Sequence, residues 1–176
     1  MKVSKKTRII AILSLVFLNI SCDQISKSIV RKTIEPYERI EVLKNNFVLT
    51  KVENTGAAYS LGSDLTPVLK ILVLQILPIL VLLLLLRLLL IKVNYSKTTI
   101  IGLAFIIGGG IGNLFDRIVY GSVTDFLIMD LGIIKTEIFN IADVSIMTGS
   151  VLIILSTFLS KNETFFTQKT SIHELD

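Results

Sequence analysis

Apolar residues fall into four blocks along this chain: Ile9 to Ile20, Leu65 to Ile91, Ile100 to Phe115 and Ile141 to Leu159. A helix needs about 20 apolar residues to cross the hydrocarbon core of a bilayer. The second and fourth blocks reach that length, and the first and third do so by borrowing polar neighbours such as Thr7, Cys22, Thr98 and Asn113. The pattern predicts four membrane helices, over about residues 7–22, 65–91, 98–115 and 141–160. Between the first two, "ERIEVLKNNFVLTKV" alternates in part and places Asn45-Asn46 between two β-prone runs. That pattern predicts a small hairpin or sheet on the membrane surface, with an irregular ordered loop as the alternative. Residues 161–176 form a polar tail, expected to fray.

Composition agrees with the blocks. Of the 176 residues, 52% are hydrophobic and only 18% charged, and the mean hydropathy is +0.74, too apolar for an ordinary soluble domain. Charge then sets orientation. Lys2, Lys5, Lys6 and Arg8 precede the first helix, and Arg87, Lys92 and Lys97 flank the connection between the second and third, so both regions are predicted to be cytoplasmic. Lys161 marks the return of the C-terminus to the same side. Segments 23–64 and 116–140 are then outside, in the periplasm, and the first of them carries six basic and six acidic residues. The net charge of +4 thus reflects topology, and nothing resembles an aromatic-interleaved basic patch for nucleic acid.

The titratable inventory excludes much chemistry. The one histidine, His173, lies in the tail, far from any membrane-edge site. Ser-His, Cys-His and HExxH zinc mechanisms need histidine at the reacting centre. A single cysteine, Cys22, removes disulfides and cysteine-rich metal sites. Carboxylate chemistry, a Ser-Lys pair or no chemistry remain.

The densest polar cluster is "GGGIGNLFDRIVYGSVTDFLIMDLGIIKTEIFNIADVS", Gly108 to Ser145. Ionisable groups near a membrane helix are costly and need a reason; here they are Asp116, Arg117, Asp125 and Asp143. Gly108, Gly109, Gly110 and Gly112 allow close helix approach, for which packing alone is a sufficient account. Asp116 and Arg117 fit a structural ion pair equally well. Asn140 is a natural N-cap for the fourth helix, with Asp143 three positions later facing free backbone N–H groups, where its charge is stabilised. Plain capping explains "FNIAD" by itself. Asp125, in "VTDFL", changes the balance, because a short loop returns it toward Asp143. Two carboxylates at a poorly hydrated interface share a proton, one serving as general base and the other polarising a carbonyl. Spacing alone leaves Asp116 and Asp125 both open as the partner of Asp143.

Five segments, "DQISK" (Asp23 to Lys27), "NTGAAYS" (Asn54 to Ser60), "GGGIGNLFDR" (Gly108 to Arg117), "VTDF" (Val123 to Phe126) and "FNIAD" (Phe139 to Asp143), together resemble one family: bacterial lipoprotein signal peptidase, or signal peptidase II. Each is weak alone; their joint order on a four-helix plan is specific. The resemblance implies a membrane all-α fold, four transmembrane helices with a small periplasmic β-structure. It also implies an aspartic endopeptidase of the bacterial inner membrane, active at the outer face without metal or cofactor. Its partners would be membrane phospholipid and diacylglyceryl-modified prolipoproteins, cut just before the lipidated cysteine, and it would work as a monomer. The resemblance places the catalytic pair on Asp125 and Asp143, with Asp116 supporting the site through Arg117. It implies that Asn113 and Arg117 orient substrate or the pair, that Asn140 is a polar partner of Asp143, and that Asn54 and Gly56 belong to an outer loop holding the substrate. Asp23 and Lys27 match a polar pair at the top of the first helix. Gly110 stands where the family often has Ala, and Thr124 where it often has Val.

Cys22 follows a charged start and an apolar stretch, as the lipidated cysteine of a lipoprotein precursor would. Asn19 occupies the position three before it, where such signals usually carry Leu, and three further membrane blocks follow. Cys22 therefore belongs to an uncleaved first helix. The remaining alternative is a small non-enzymatic transport or assembly protein that uses the same carboxylates for ion binding. Such sites favour the bilayer midplane and broken helices, whereas these carboxylates are predicted at one interface.

Overall fold

The computed structural model describes residues 4–43, 46–57, 60–92, 94–130, 132 and 135–173, with side chains, that of Leu43 apart, described as far as residue 159. Among the described residues, four helices long and apolar enough to cross a membrane form the body: α1 (Lys5–Thr33), α2 (Pro67–Ile91), α3 (Lys97–Val119) and α4 (Ile141–His173). Three strands, β1 (Ile40–Leu43), β2 (Phe47–Asn54) and β3 (Val123–Met129), make one antiparallel sheet in the order β1-β2-β3. The predicted class, a membrane helical bundle with a small β-structure, is the observed one. The predicted turn at Asn45-Asn46 lies partly outside the described residues, since Lys44 and Asn45 are not among them.

Helix α1 passes well beyond residue 22 and ends only at Ile34, two residues before Pro36. Hydropathy falls at Asp23, but no breaker stands between there and Thr33. The polar residues of this stretch recur every fourth position, so Asn19, Asp23 and Lys27 fall on one buried face with Ile12, Val16 and Val30. Asp23 and Lys27 are thus inside a helix, where they had been expected to open an outside segment. Helix α3 likewise runs to Val119 and takes Asp116 and Arg117 into its last turns. Helix α4 starts at Ile141, and its backbone stays helical to His173 through the tail expected to fray.

Helix α2 contains a π-helical turn, Leu72–Ile76, in which the N–H of Leu77 bonds to the carbonyl of Leu72. Pro78 follows directly. A proline lacks the N–H for an α-helical bond and its ring crowds the carbonyl four residues back, so the wider turn accommodates it. Gln75, within this turn, donates from Nε2 to the carbonyl of Arg117 at 3.2 Å, satisfying a carbonyl in the last turn of α3.

Close contact between α3 and α4 depends on glycine. A Cβ on Gly109 would collide with the carbonyl oxygen of Ala142, and one on Gly102 would meet the carbonyl of Gly149 at 2.8 Å. One apolar core (Ile12, Val16, Leu89, Ala104 and Ile107) ties α1, α2 and α3 together. A second (Val30, Ile34 and Phe126) seats the sheet on the end of α1. Leu80, Leu83, Phe17 and Phe158 are among the large apolar side chains left exposed, as a lipid-facing surface requires.

Candidate active site

At the sheet-bearing end of the bundle, α1, α3, α4 and β3 bring buried polar residues together. Position 125 is set by strand pairing. Val52 of β2 faces Asp125 of β3, Asn54 faces Val123, and a register shift between Leu49 and Val52 adjusts the fit. On the other edge of β3, the carbonyl of Phe139 accepts from the N–H of Phe126 and of Leu127 at 3.0 and 2.8 Å. This contact lays Asn140 beside Asp125. Sequence reading treated "VTDFL" as an apolar connection; it is the third strand, and seven residues between two helices offered no hairpin signal of their own.

Asn140 then joins two carboxylates. Its Nδ2 donates to Asp125 Oδ1 at 2.6 Å, and its backbone N–H donates to Asp143 Oδ2 at 3.0 Å. Its Oδ1 accepts from the N–H of Asp143 at 3.1 Å, completing a reciprocal cap at the start of α4. The residue that caps α4 with Asp143 is therefore also a donor to Asp125. Asn113 donates from Nδ2 to Asp143 Oδ1 at 2.8 Å, while its Oδ1 accepts from Lys27 Nζ at 2.8 Å and Asn140 Nδ2 at 3.1 Å. Asn54 donates to Asp125 Oδ2 at 3.1 Å and to the carbonyl of Ala57 at 3.0 Å, and its Oδ1 accepts from the N–H of Gly56 at 2.9 Å. Gly56 has no room for a side chain: a Cβ there would sit 2.6 Å from the backbone of Ser60. Its carbonyl accepts from Arg117 Nη2 at 2.9 Å. Ala58 and Tyr59 of the same loop are outside the described residues.

Asp116 stands apart from this pair. Its carboxylate takes Lys27 Nζ at 3.0 Å, Arg31 Nη2 at 2.9 Å and Gln24 Nε2 at 3.0 Å. Asp23 pairs with Lys27 at 2.8 Å and accepts from the N–H of Ala142 at 2.9 Å, linking α1 to the start of α4. Asp23, Lys27 and Asp116 are fully buried. Sequence reading left two competitors for Asp143; Asp125 shares Asn140 with it, whereas Asp116 sits among the cations of α1.

Three contributors escaped the sequence reading. Gln24 joins Asp23, Gly112 and Asp116. Arg31 donates from Nε to Thr124 Oγ1 at 2.8 Å and lies 4.0 Å over the Tyr120 ring. Glu53 accepts from Ser122 and Thr124 at 2.6 and 2.8 Å. The signal for Arg31 was its spacing, four after Lys27 and eight after Asp23, legible only once the helix is carried past residue 22.

Burial pushes Asp125 up from 3.8 to about 6, with the charge of Asp143 adding to the rise. The hydrogen bond from Asn54 is the largest opposing influence, followed by that from Asn140 and the charge of Lys27. Asp125 is thus a carboxyl that keeps its proton over a wider range than a solvated aspartate. Beside a second carboxylate, amide donors and Arg117, this arrangement can activate water and polarise a carbonyl without a metal.

Comparison with known proteins gives a consistent result. A family described as Signal peptidase (SPase) II matches residues 15–159. The chain is 40% identical over 144 residues to the lipoprotein signal peptidase of Haemophilus ducreyi, covering 82% of this chain and 88% of the relative. It is 35% identical over 163 residues to that of Neisseria gonorrhoeae, covering 92% and 95%. A solved bacterial membrane enzyme, determined by the in meso method at 2.3 Å, superposes with a TM-score of 0.78 at 25% identity, over 87% of this chain and 90% of that one.

Proposed function

The chain belongs to the signal peptidase II family of aspartic peptidases, and we propose that it cleaves diacylglyceryl-modified prolipoproteins just before the lipidated cysteine, with Asp125 and Asp143 as its catalytic pair. The observation that carries the assignment is the single residue Asn140, hydrogen-bonded to both carboxylates at the end of a membrane bundle. Asp143, with donors from Asn113 and Asn140, removes a proton from water as it attacks the scissile carbonyl carbon. Asp125 gives its proton to the carbonyl oxygen. On collapse of the tetrahedral intermediate, Asp143 passes its proton to the departing amine nitrogen and Asp125 recovers one from the former carbonyl oxygen. No covalent enzyme intermediate forms. Arg117 and the Asn54–Gly56 loop hold the substrate backbone, and the apolar faces of α2 and α3 receive its acyl chains. The positive residues at the opposite helix ends support the reading that both termini lie in the cytoplasm and this site at the outer face of the inner membrane. The reading extends to a monomer among membrane phospholipids, and the complete set of hydrogen bonds round the two carboxylates supports it.

Purified protein in detergent, given the same prolipoprotein reporter with and without its diacylglyceryl group, tests the substrate. The expected product is a mature chain beginning at the lipidated cysteine, by mass spectrometry, from the lipidated reporter only. Equal cleavage of both forms, or a cut elsewhere, would contradict the substrate assignment.

A further inference from the structure

Lys27 is fully buried, belongs to α1 and touches neither Asp125 nor Asp143 directly. Its ammonium makes three contacts: Asp23 at 2.8 Å, Asp116 at 3.0 Å and Asn113 Oδ1 at 2.8 Å. The third has a consequence at the reacting pair. An ammonium has donors and no acceptor, so the amide of Asn113 can present only its oxygen to Lys27. Its NH2 must then point the other way, onto Asp143 Oδ1 at 2.8 Å. Asn140 is fixed independently, because its Oδ1 accepts from the N–H of Asp143 and leaves its Nδ2 for Asp125 and Asn113. The result is one directed chain of donors ending at the two carboxylates.

We propose that Lys27 is a positioning residue for the cleavage reaction: by fixing the polarity of the Asn113 amide it places the negative charge of the pair on Asp143 and leaves the proton to Asp125. The proposal rests on the reading of Asp125 and Asp143 as the catalytic pair. Asp143 receives the Asn113 amide and the backbone N–H of Asn140 at its helix start, so its ionised form is held by fixed dipoles. Without Lys27 only the contact from Asn140 Nδ2 at 3.1 Å keeps the Asn113 oxygen from turning toward Asp143, where it would repel that charge and weaken the general base. The charged groups packed round the pair are Asp23, Lys27 and Arg31 from α1, Asp116 and Arg117 from α3, and Glu53 from β2, with Gln75 the polar residue that α2 brings to the end of α3. Asp23, Asp116, Lys27 and Arg31 balance in charge, so Lys27 is removable together with one carboxylate without leaving a net charge buried.

The test therefore uses the double variant Lys27→Met/Asp23→Asn beside Lys27→Met and Lys27→Arg. Each is measured in the full-length protein for thermal stability in detergent and for the pH profiles of kcat and kcat/KM on the lipidated reporter. Lys27→Met alone leaves Asp23 without a cation and Asp116 with Arg31 alone, and is expected to unfold more readily; the double variant is expected to regain that stability. Positioning predicts that the double variant still loses kcat by at least about tenfold with KM nearly unchanged. It also predicts that the acidic limb of the profile moves to higher pH by about one to two units, the equivalent of one lost charge-assisted hydrogen bond. Lys27→Arg, which keeps a donor without an acceptor, should hold the limb near its wild-type place. A double variant with wild-type kcat and an unmoved acidic limb, or a Lys27→Arg variant whose limb moves as far as the double variant's, would overturn the proposal. Asp125→Asn and Asp143→Asn, run in parallel, separate the two levels. If they retain turnover, the pair itself is wrong. If they are inactive while the double variant behaves as wild type, only the role of Lys27 is wrong.

Discussion

A carboxyl that loses its proton near pH 6 is the most chemically informative single residue here. If Asp125 must be protonated to act on the carbonyl, kcat/KM falls as pH rises through about 6, because the free enzyme loses that proton. Burial raises the value and the Asn54 hydrogen bond lowers it by stabilising the ionised form. Asn54→Ala removes a lowering influence, so the basic limb of the kcat/KM profile should move to higher pH than in wild type. A limb that stays put, or moves down, would contradict the assignment of the proton to Asp125. Substrate binding excludes water and raises Asp125 further, so the basic limb of kcat should lie above that of kcat/KM. Elsewhere at this scale, the buried charge of Lys27 makes Lys27→Met alone costly to stability, by about 3–5 kcal/mol, since it leaves Asp23 and Asp116 desolvated with one cation fewer. The loss is measurable as a lowered unfolding midpoint in detergent.

Among the elements, the contact of α3 with the start of α4 governs the geometry of the site, because it sets Asn113 against Asn140 and Asp143. Gly109 lies at this contact, against the backbone of Ala142 and the side chains of Ile146 and Ser145. Gly109→Val should force the helices apart, at about 1–3 kcal/mol. It should also reduce cleavage more than an equally large change between lipid-facing residues such as Leu83→Val; comparison of unfolding midpoint and turnover in the two variants checks this. The same elements show what the sequence made legible. Helices α2 and α4 were visible because twenty or so apolar residues have one destination in a bilayer, and α3 because its shorter apolar block reaches that length with its polar neighbours. Glycines 108 to 112 and the cap at Asn140 were visible because their chemistry is local. Strand β3 was not, because its identity comes from pairing with β2, seventy residues earlier in the chain, and from the Phe139 segment on its other edge. The inner face of α1 beyond residue 22 was missed for another reason: a hydropathy window measures affinity for lipid, and charges that neutralise one another inside a bundle register as solvent. Asp125 became a partner for Asp143 through those same long-range pairings, which is why spacing left Asp116 in contention.

The whole molecule is a multi-pass bacterial membrane protein and an aspartic peptidase of the signal peptidase II family, so the transport or assembly alternative falls away. All four helices bring their site-bearing ends together, and the opposite end carries the cluster of Lys5, Lys6, Arg8, Arg87, Lys92 and Lys97. The positive-inside rule then predicts the sheet outside and that cluster inside. In a Cys22→Ser background, single cysteines at Glu38 and at Lys97 test this. A membrane-impermeant maleimide added to intact spheroplasts should label Glu38→Cys and leave Lys97→Cys untouched until the membrane is opened, and the reverse labelling would invert the orientation. The central claim, that two carboxylates joined by Asn140 cut the peptide bond, is tested most directly by turnover of the lipidated reporter by purified wild type, Asp125→Asn and Asp143→Asn, each verified as folded by its thermal unfolding. Cleavage by wild type and a loss of at least about a thousandfold in each variant are expected. Near-normal turnover by either variant would contradict it.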